Sequence, residues 1–158
     1  IELSNEHPEA RILWRSGPKD GVYPVNSTPY LLDGIIYGVD VDKSALMAVD
    51  MDSGKRLWES RAPCLSKEIA GRSRVPRYGT AFLVYHPGNR QFWILGEMGD
   101  LIVAELSPQG YREVSRARVL EPTNTSGSRK VLWSHPAFAM RSVFLRNDRE
   151  LIRIDLAE

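Results

Sequence analysis

Cysteine is nearly absent from this chain: Cys64 stands alone, so no internal disulfide forms and no multi-cysteine zinc site can be assembled. A single cysteine suits the cytosol as well as an exported chain that does without disulfides. Histidine is scarce too. His7, His86 and His135 are far apart, with no i, i+4 pair that would hold a metal on a helix face. Charge is balanced, 21 Lys and Arg against 20 Asp and Glu, so no overall basic field points to nucleic acid. No apolar run approaches the roughly 18 residues that span a bilayer, so no transmembrane segment is expected. No basic-then-apolar leader precedes the body of the chain, which starts at Ile1, and the chain is expected to be processed or excised from a longer one.

Helical periodicity is also missing. Ten prolines are spread too evenly for long helices, while short β-rich runs bounded by turn residues recur throughout. The runs 28–32, 35–39, 45–49 and 55–60 predict four strands joined by Asp33-Gly34, by residues 40–44 and by Asp52-Ser53-Gly54. The runs 80–85, 91–96, 101–106 and 111–118 repeat that plan, and a third group over 134–138, 142–146 and 151–156 stops one strand short. A lone run at 11–15 reads as the fourth strand of an earlier group.

The repeat is legible at single residues. Leu46-Met47-Ala48-Val49-Asp50, Leu101-Ile102-Val103-Ala104-Glu105 and Leu151-Ile152-Arg153-Ile154-Asp155 align as third strands. Counting from the alanines Ala48 and Ala104 pairs Gly54 with Gly110 and Trp58 with Val114. Four-stranded units at such spacing are the signature of β-propeller blades. The fold expected is therefore all-β, with antiparallel four-stranded blades of propeller type. About three blades make one partial propeller over residues 1–158: an orphan strand at 11–15, blades at 28–60 and 80–118, and an incomplete blade at 134–156.

The stretch AVDMDSGKRLW, Ala48 to Trp58, explains how such blades would hold together. Gly54 permits the positive φ of a tight turn, Asp50 and Asp52 accept turn N–H bonds, and small Ala48 leaves room for a large neighbour. Trp58 would then lie in the gap between blades, its indole N–H needing a backbone carbonyl. Ala48, Asp50, Ser53, Gly54 and Trp58 fill every defined position of A-x-D-x-x-T/S-G-x-x-x-W, and the stretch resembles the tryptophan-docking motif of the pyrroloquinoline-quinone-type propeller repeats. Pro29 to Tyr37 is similar to the first hairpin of that family. The resemblance implies a larger propeller and a non-catalytic binding or scaffolding module of the bacterial cell envelope or periplasm. Its alternative is the C-terminal fragment of a quinoprotein dehydrogenase whose cofactor site lies on other blades. Alcohol dehydrogenases of this family set a disulfide of adjacent cysteines against the quinone, which Cys64 alone cannot form. No cofactor, metal or catalytic residue is expected of this chain by itself.

Asp40-x-Asp42-x-Ser44 begins like a calcium loop but then offers Ala45 and Met51 where the EF-hand pattern wants Gly and Glu, so it reads as a polar turn. Residues 61–77 hold five basic side chains and one acidic. Connections into each first strand share a face with turns between second and third strands, and Lys19, Arg129 and Lys130 fall in the equivalent connections. Arg72, Arg74, Arg77 and His135 are thus the candidates for a face that binds an anionic ligand or an acidic protein partner, although a solvated loop surface is the favoured reading of these arginines and a structural hydrogen bond that of His135. Edge strands at the two ends, 11–15 and 151–156, predict pairing between copies.

Overall fold

The computed structural model describes residues 2, 3, 6, 7, 9–127 and 129–156. Among them the chain is all-β apart from one short helix, α1 (Lys67–Ala70). Strands β1 (Glu2–Leu3) and β2 (Ala10–Arg11) pair with each other. The first large sheet is β3 (Tyr30–Leu32), β4 (Ile35–Asp40), β5 (Ala45–Asp50) and β6 (Arg56–Ser60). The second is β7 (Ala81–His86), β8 (Gln91–Gly96), β9 (Asp100–Ser107) and β10 (Gly110–Arg118). A hairpin of β11 (Asn124–Ser126) and β12 (Arg129–Val131) leads to the third, β13 (Ala137–Ala139), β14 (Ser142–Arg146) and β15 (Leu151–Asp155). Every pairing is antiparallel between sequence neighbours, so each large sheet is an up-and-down meander.

Side-chain alternation decides how the meanders stack. In β8, Phe92 and Ile94 join a core shared with Ile35, Tyr37 and Leu46 of the first sheet, while Trp93 and Leu95 join a second core with Val143 and Leu145 of the third. The middle sheet is therefore buried on both faces, which is why FWIL and LIVA run without polar interruption. The third sheet alternates instead: Ile152 and Ile154 face inward, whereas Leu151, Arg153 and Asp155 are exposed. Among the described residues its outer face is uncovered and β15 is its edge. The outer face of the first sheet is covered by the preceding segment, where a Cβ on Gly38 would meet Val22 at 2.8 Å and Pro29 at 3.1 Å.

Two indoles bridge consecutive layers. Trp58 lies opposite Ala48 on the outermost strand of the first sheet, and its Nε1 donates across the gap to Ser107 O of the second at 2.8 Å. Trp14 repeats this one layer earlier, donating to Met51 O at 2.6 Å. Its ring lies so close to Gly54, at φ 69°, that a Cβ there would stand 2.5 Å from it. Glycine is required at this turn both for its dihedral and for the approach of the ring. Asp50 closes the turn: its Oδ1 accepts from Ser53 N at 2.8 Å and from the Ser53 hydroxyl. Those bonds hold the Asp50 carboxyl below its ordinary value.

Two expectations need correction. The strand at 11–15 is not formed: only Arg11 lies in a strand, paired with Glu2, and residues 12–17 have no ladder partner. Ile12 and Leu13 stay exposed while Trp14 is drawn to the first sheet. The pairing of Ala48 with Ala104 is also off by one. Tyr37 pairs with Ala48 and Trp93 with Val103, so Val103 holds the place of Ala48, in keeping with the alignment of Leu46, Leu101 and Leu151. Ser115, not Val114, lies across from it, because Val114 is the extra residue of a β-bulge and is exposed. The second sheet thus sends no tryptophan from its outermost strand. Trp93 supplies the aromatic at that junction instead, 5.7 Å from Phe138.

Trp58→Ala removes a half-buried indole and its hydrogen bond, and urea unfolding should show a loss of about 3 kcal/mol, at the low end for deleting a large aromatic. Val114→Ala should fall within about 0.5 kcal/mol of the parent, as surface changes do.

Candidate functional site

Because each large sheet is a meander, the turns β4–β5, β8–β9 and β14–β15 emerge at the same end as the connections between sheets. This loop face is organised by a buried acid. Glu97, in the β8–β9 turn, is fully buried, and a carboxylate there requires charged and hydrogen-bonded partners. Arg129 supplies both, with Nε 2.8 Å from Oε1 and Nη2 3.2 Å from Oε2. Oε2 also accepts from Trp133 Nε1 at 3.0 Å and Thr80 N at 3.2 Å. Arg129 also donates from Nη1 to Arg77 O at 2.9 Å and from Nη2 to Tyr78 O at 2.6 Å. One ion pair therefore joins the connections before and after the second sheet to its central turn.

Tyr78 is held in a costly conformation. Its φ is 66°, in the left-handed region that bulky residues avoid, at a typical cost of about 1–3 kcal/mol. Its N–H donates to Val41 O at 2.6 Å and its carbonyl accepts from Arg129, which fixes the strained backbone from both sides. The ring remains half exposed, with the Arg77 guanidinium 5.6 Å from its centroid. Trp133 is exposed to a similar degree. Asp42 forms an ion pair with Arg77, whose pKa is raised by it. The neighbouring Ser44 hydroxyl donates to Pro76 O at 2.7 Å, so residues 40–44 are a polar turn anchored to the 76–79 connection.

Arg72 and Arg74 are exposed and form no ion pair among the described residues. Arg77 and Arg129 lie on the loop face as placed by the sequence, but each is already matched to a carboxylate. His135 bridges layers: its ring packs on Phe82 at 4.3 Å, and Nε2 lies 3.1 Å from Asn26 O, a bond that requires the proton on Nε2. None of the described interactions joins His135 to Arg72, Arg74 or Arg77. Ala48, Asp50, Ser53, Gly54 and Trp58 serve the contacts between sheets and lie apart from this face. Sequence reasoning missed Glu97, Tyr78 and Trp133, although Trp133 stands two residues from His135 and Tyr78 follows Arg77.

Burial, and then the charge of Glu97, push the Cys64 thiol up. Among the described residues no group of His, Cys, Asp and Glu side chains is placed to hold a metal ion. No helix among them is long and apolar enough to cross a membrane. No known family model matches the chain, and none of the curated proteins searched matches it.

Arg129→Met would leave the Glu97 carboxylate buried without its cation. Urea unfolding should show a loss of about 3–5 kcal/mol, the range for breaking a buried pair from one side. The double variant Glu97→Leu/Arg129→Met should lose less than the sum of the single changes.

Proposed function

We propose that the chain is a propeller-type repeat domain of about three four-stranded blades, the last incomplete, and that it acts as a non-catalytic binding module. Face-to-face stacking of meanders, and tryptophans that reach from one layer to the third-to-fourth-strand turn of the next, support the propeller reading. The resemblance of AVDMDSGKRLW to the quinone-type repeats is the ground for proposing the bacterial envelope as its setting.

The observation that carries the binding reading is Tyr78. A bulky residue with φ 66°, pinned by two backbone hydrogen bonds yet half exposed, is strain maintained at a surface. Arg77 packs against its ring and Trp133 is bonded to Glu97, the partner of the Arg129 that holds the Tyr78 carbonyl; Trp, Tyr and Arg are the residues that dominate protein–protein hot spots. Arg72 and Arg74, which form no ion pair among the described residues, add positive charge on the same connection. The partner is read as a protein segment carrying clustered carboxylates.

Binding of a short polyaspartate peptide, followed by titration calorimetry, should weaken steeply from 20 to 200 mM salt, because exposed charges are screened within about 8–10 Å at physiological ionic strength. Replacing Arg72, Arg74 and Arg77 together with Gln should abolish it while stability changes by less than about 1 kcal/mol. Undiminished binding by that triple variant would refute the site.

A further inference from the structure

At the other end of the sheets, away from the loop face, the gap between the second and third layers holds a recess of about 380 Å³. Trp93, Phe138, Ala139, Met140 and Leu156 form most of its lining, with Arg141 and His86 at the polar margin. Met140 is 83% exposed and gives the mouth an apolar lip.

Leu156 occupies a place this chain uses elsewhere. Its N–H donates to Arg141 O at 2.8 Å, just as the N–H of Met51 donates to Gly34 O at 2.9 Å. Each is the first residue beyond the third strand, tied back to the hairpin of the first two strands of its own sheet. Met51 is the residue whose carbonyl receives the Trp14 indole, and Ser107, at the end of β9, receives that of Trp58. The third layer offers the corresponding position with no indole reaching it from β10, where Val114 points outward and Ser115 faces Val103.

We propose that this recess is an acceptor site for a tryptophan side chain carried by a partner polypeptide. The indole packs against Trp93 and Phe138 and donates its N–H to the Leu156 carbonyl. Arg141 at the margin selects an acidic residue beside that tryptophan. A second copy of this chain is not the occupant, because the indole N–H groups of Trp14, Trp58 and Trp133 are bonded within their own chain and Trp93 lines the site itself. The site is independent of the loop face and does not rest on its binding role.

The test is an NMR titration of the isotope-labelled chain with the capped dipeptide acetyl-Asp-Trp-amide. Saturable shifts are expected at Met140, Arg141 and Leu156 amides and at the Trp93 indole. The analogue methylated on the indole nitrogen should bind about three- to tenfold more weakly, since it lacks one hydrogen bond. Ala139→Trp, which fills the recess while keeping the dispersed spectrum of a folded chain, should remove binding. An absence of saturable shifts at these residues, equal affinity of the methylated analogue, or undiminished binding by a folded Ala139→Trp variant would each overturn the proposal.

Discussion

The Trp58 indole, reaching from the outermost strand of one sheet to the Ser107 carbonyl of the next, is the contact on which the layering depends. Apolar faces alone would let two twisted meanders slide, because hydrophobic burial has no direction. A hydrogen bond at the periphery fixes both angle and offset. Its consequence is visible in the shared core, where Tyr37 and Phe92 meet edge-on at 5.7 Å between sheets that contribute about equally. Trp14 applies the same restraint one layer earlier, with Gly54 shaped to receive the ring.

At the loop face the restraint is electrostatic rather than aromatic. The Glu97–Arg129 pair adds little net stability by itself, since desolvating two charges offsets much of their attraction. Its value is positional: one guanidinium reaches Glu97, Arg77 O and Tyr78 O together and so sets the backbone of two long connections. Positions 77 and 78 can then carry side chains suited to recognition without collapsing onto the sheet. The stable layers and the strained surface are thus parts of one arrangement, in which packing energy at the centre offsets conformational cost at the rim.

The strands of the three large sheets were legible because their signals are local. Alternating or continuous apolar runs ended at turn residues, and Leu46, Leu101 and Leu151 marked the same register in each third strand. The slip at Ala104 arose from hairpin length. Residues 51–55 separate β5 from β6 and only Pro108 and Gln109 separate β9 from β10, but β9 and β10 run further along the hairpin, so Ser115 lies farther beyond Val103 than Trp58 lies beyond Ala48 and a fixed count from one sheet misses the register of the other. The run 11–15 has strand composition, but a strand also needs a partner, and sequence does not say where one is. Glu97 read as an ordinary turn acid because its burial depends on Arg129, 32 residues away. The strain at Tyr78 likewise comes from tertiary contacts, which no local pattern records.

The central claim is that the first sheet is keyed to the second by the Trp58 indole, and to the segment before it by that of Trp14. Nuclear Overhauser contacts of the indole protons test it directly. The account predicts contacts from Trp58 Hε1 to Ser107 and Pro108 protons, and from Trp14 Hε1 to Met51 and Asp52 protons. Contacts of Trp58 Hε1 confined to its own sheet, with none to residues 106–108, would contradict it.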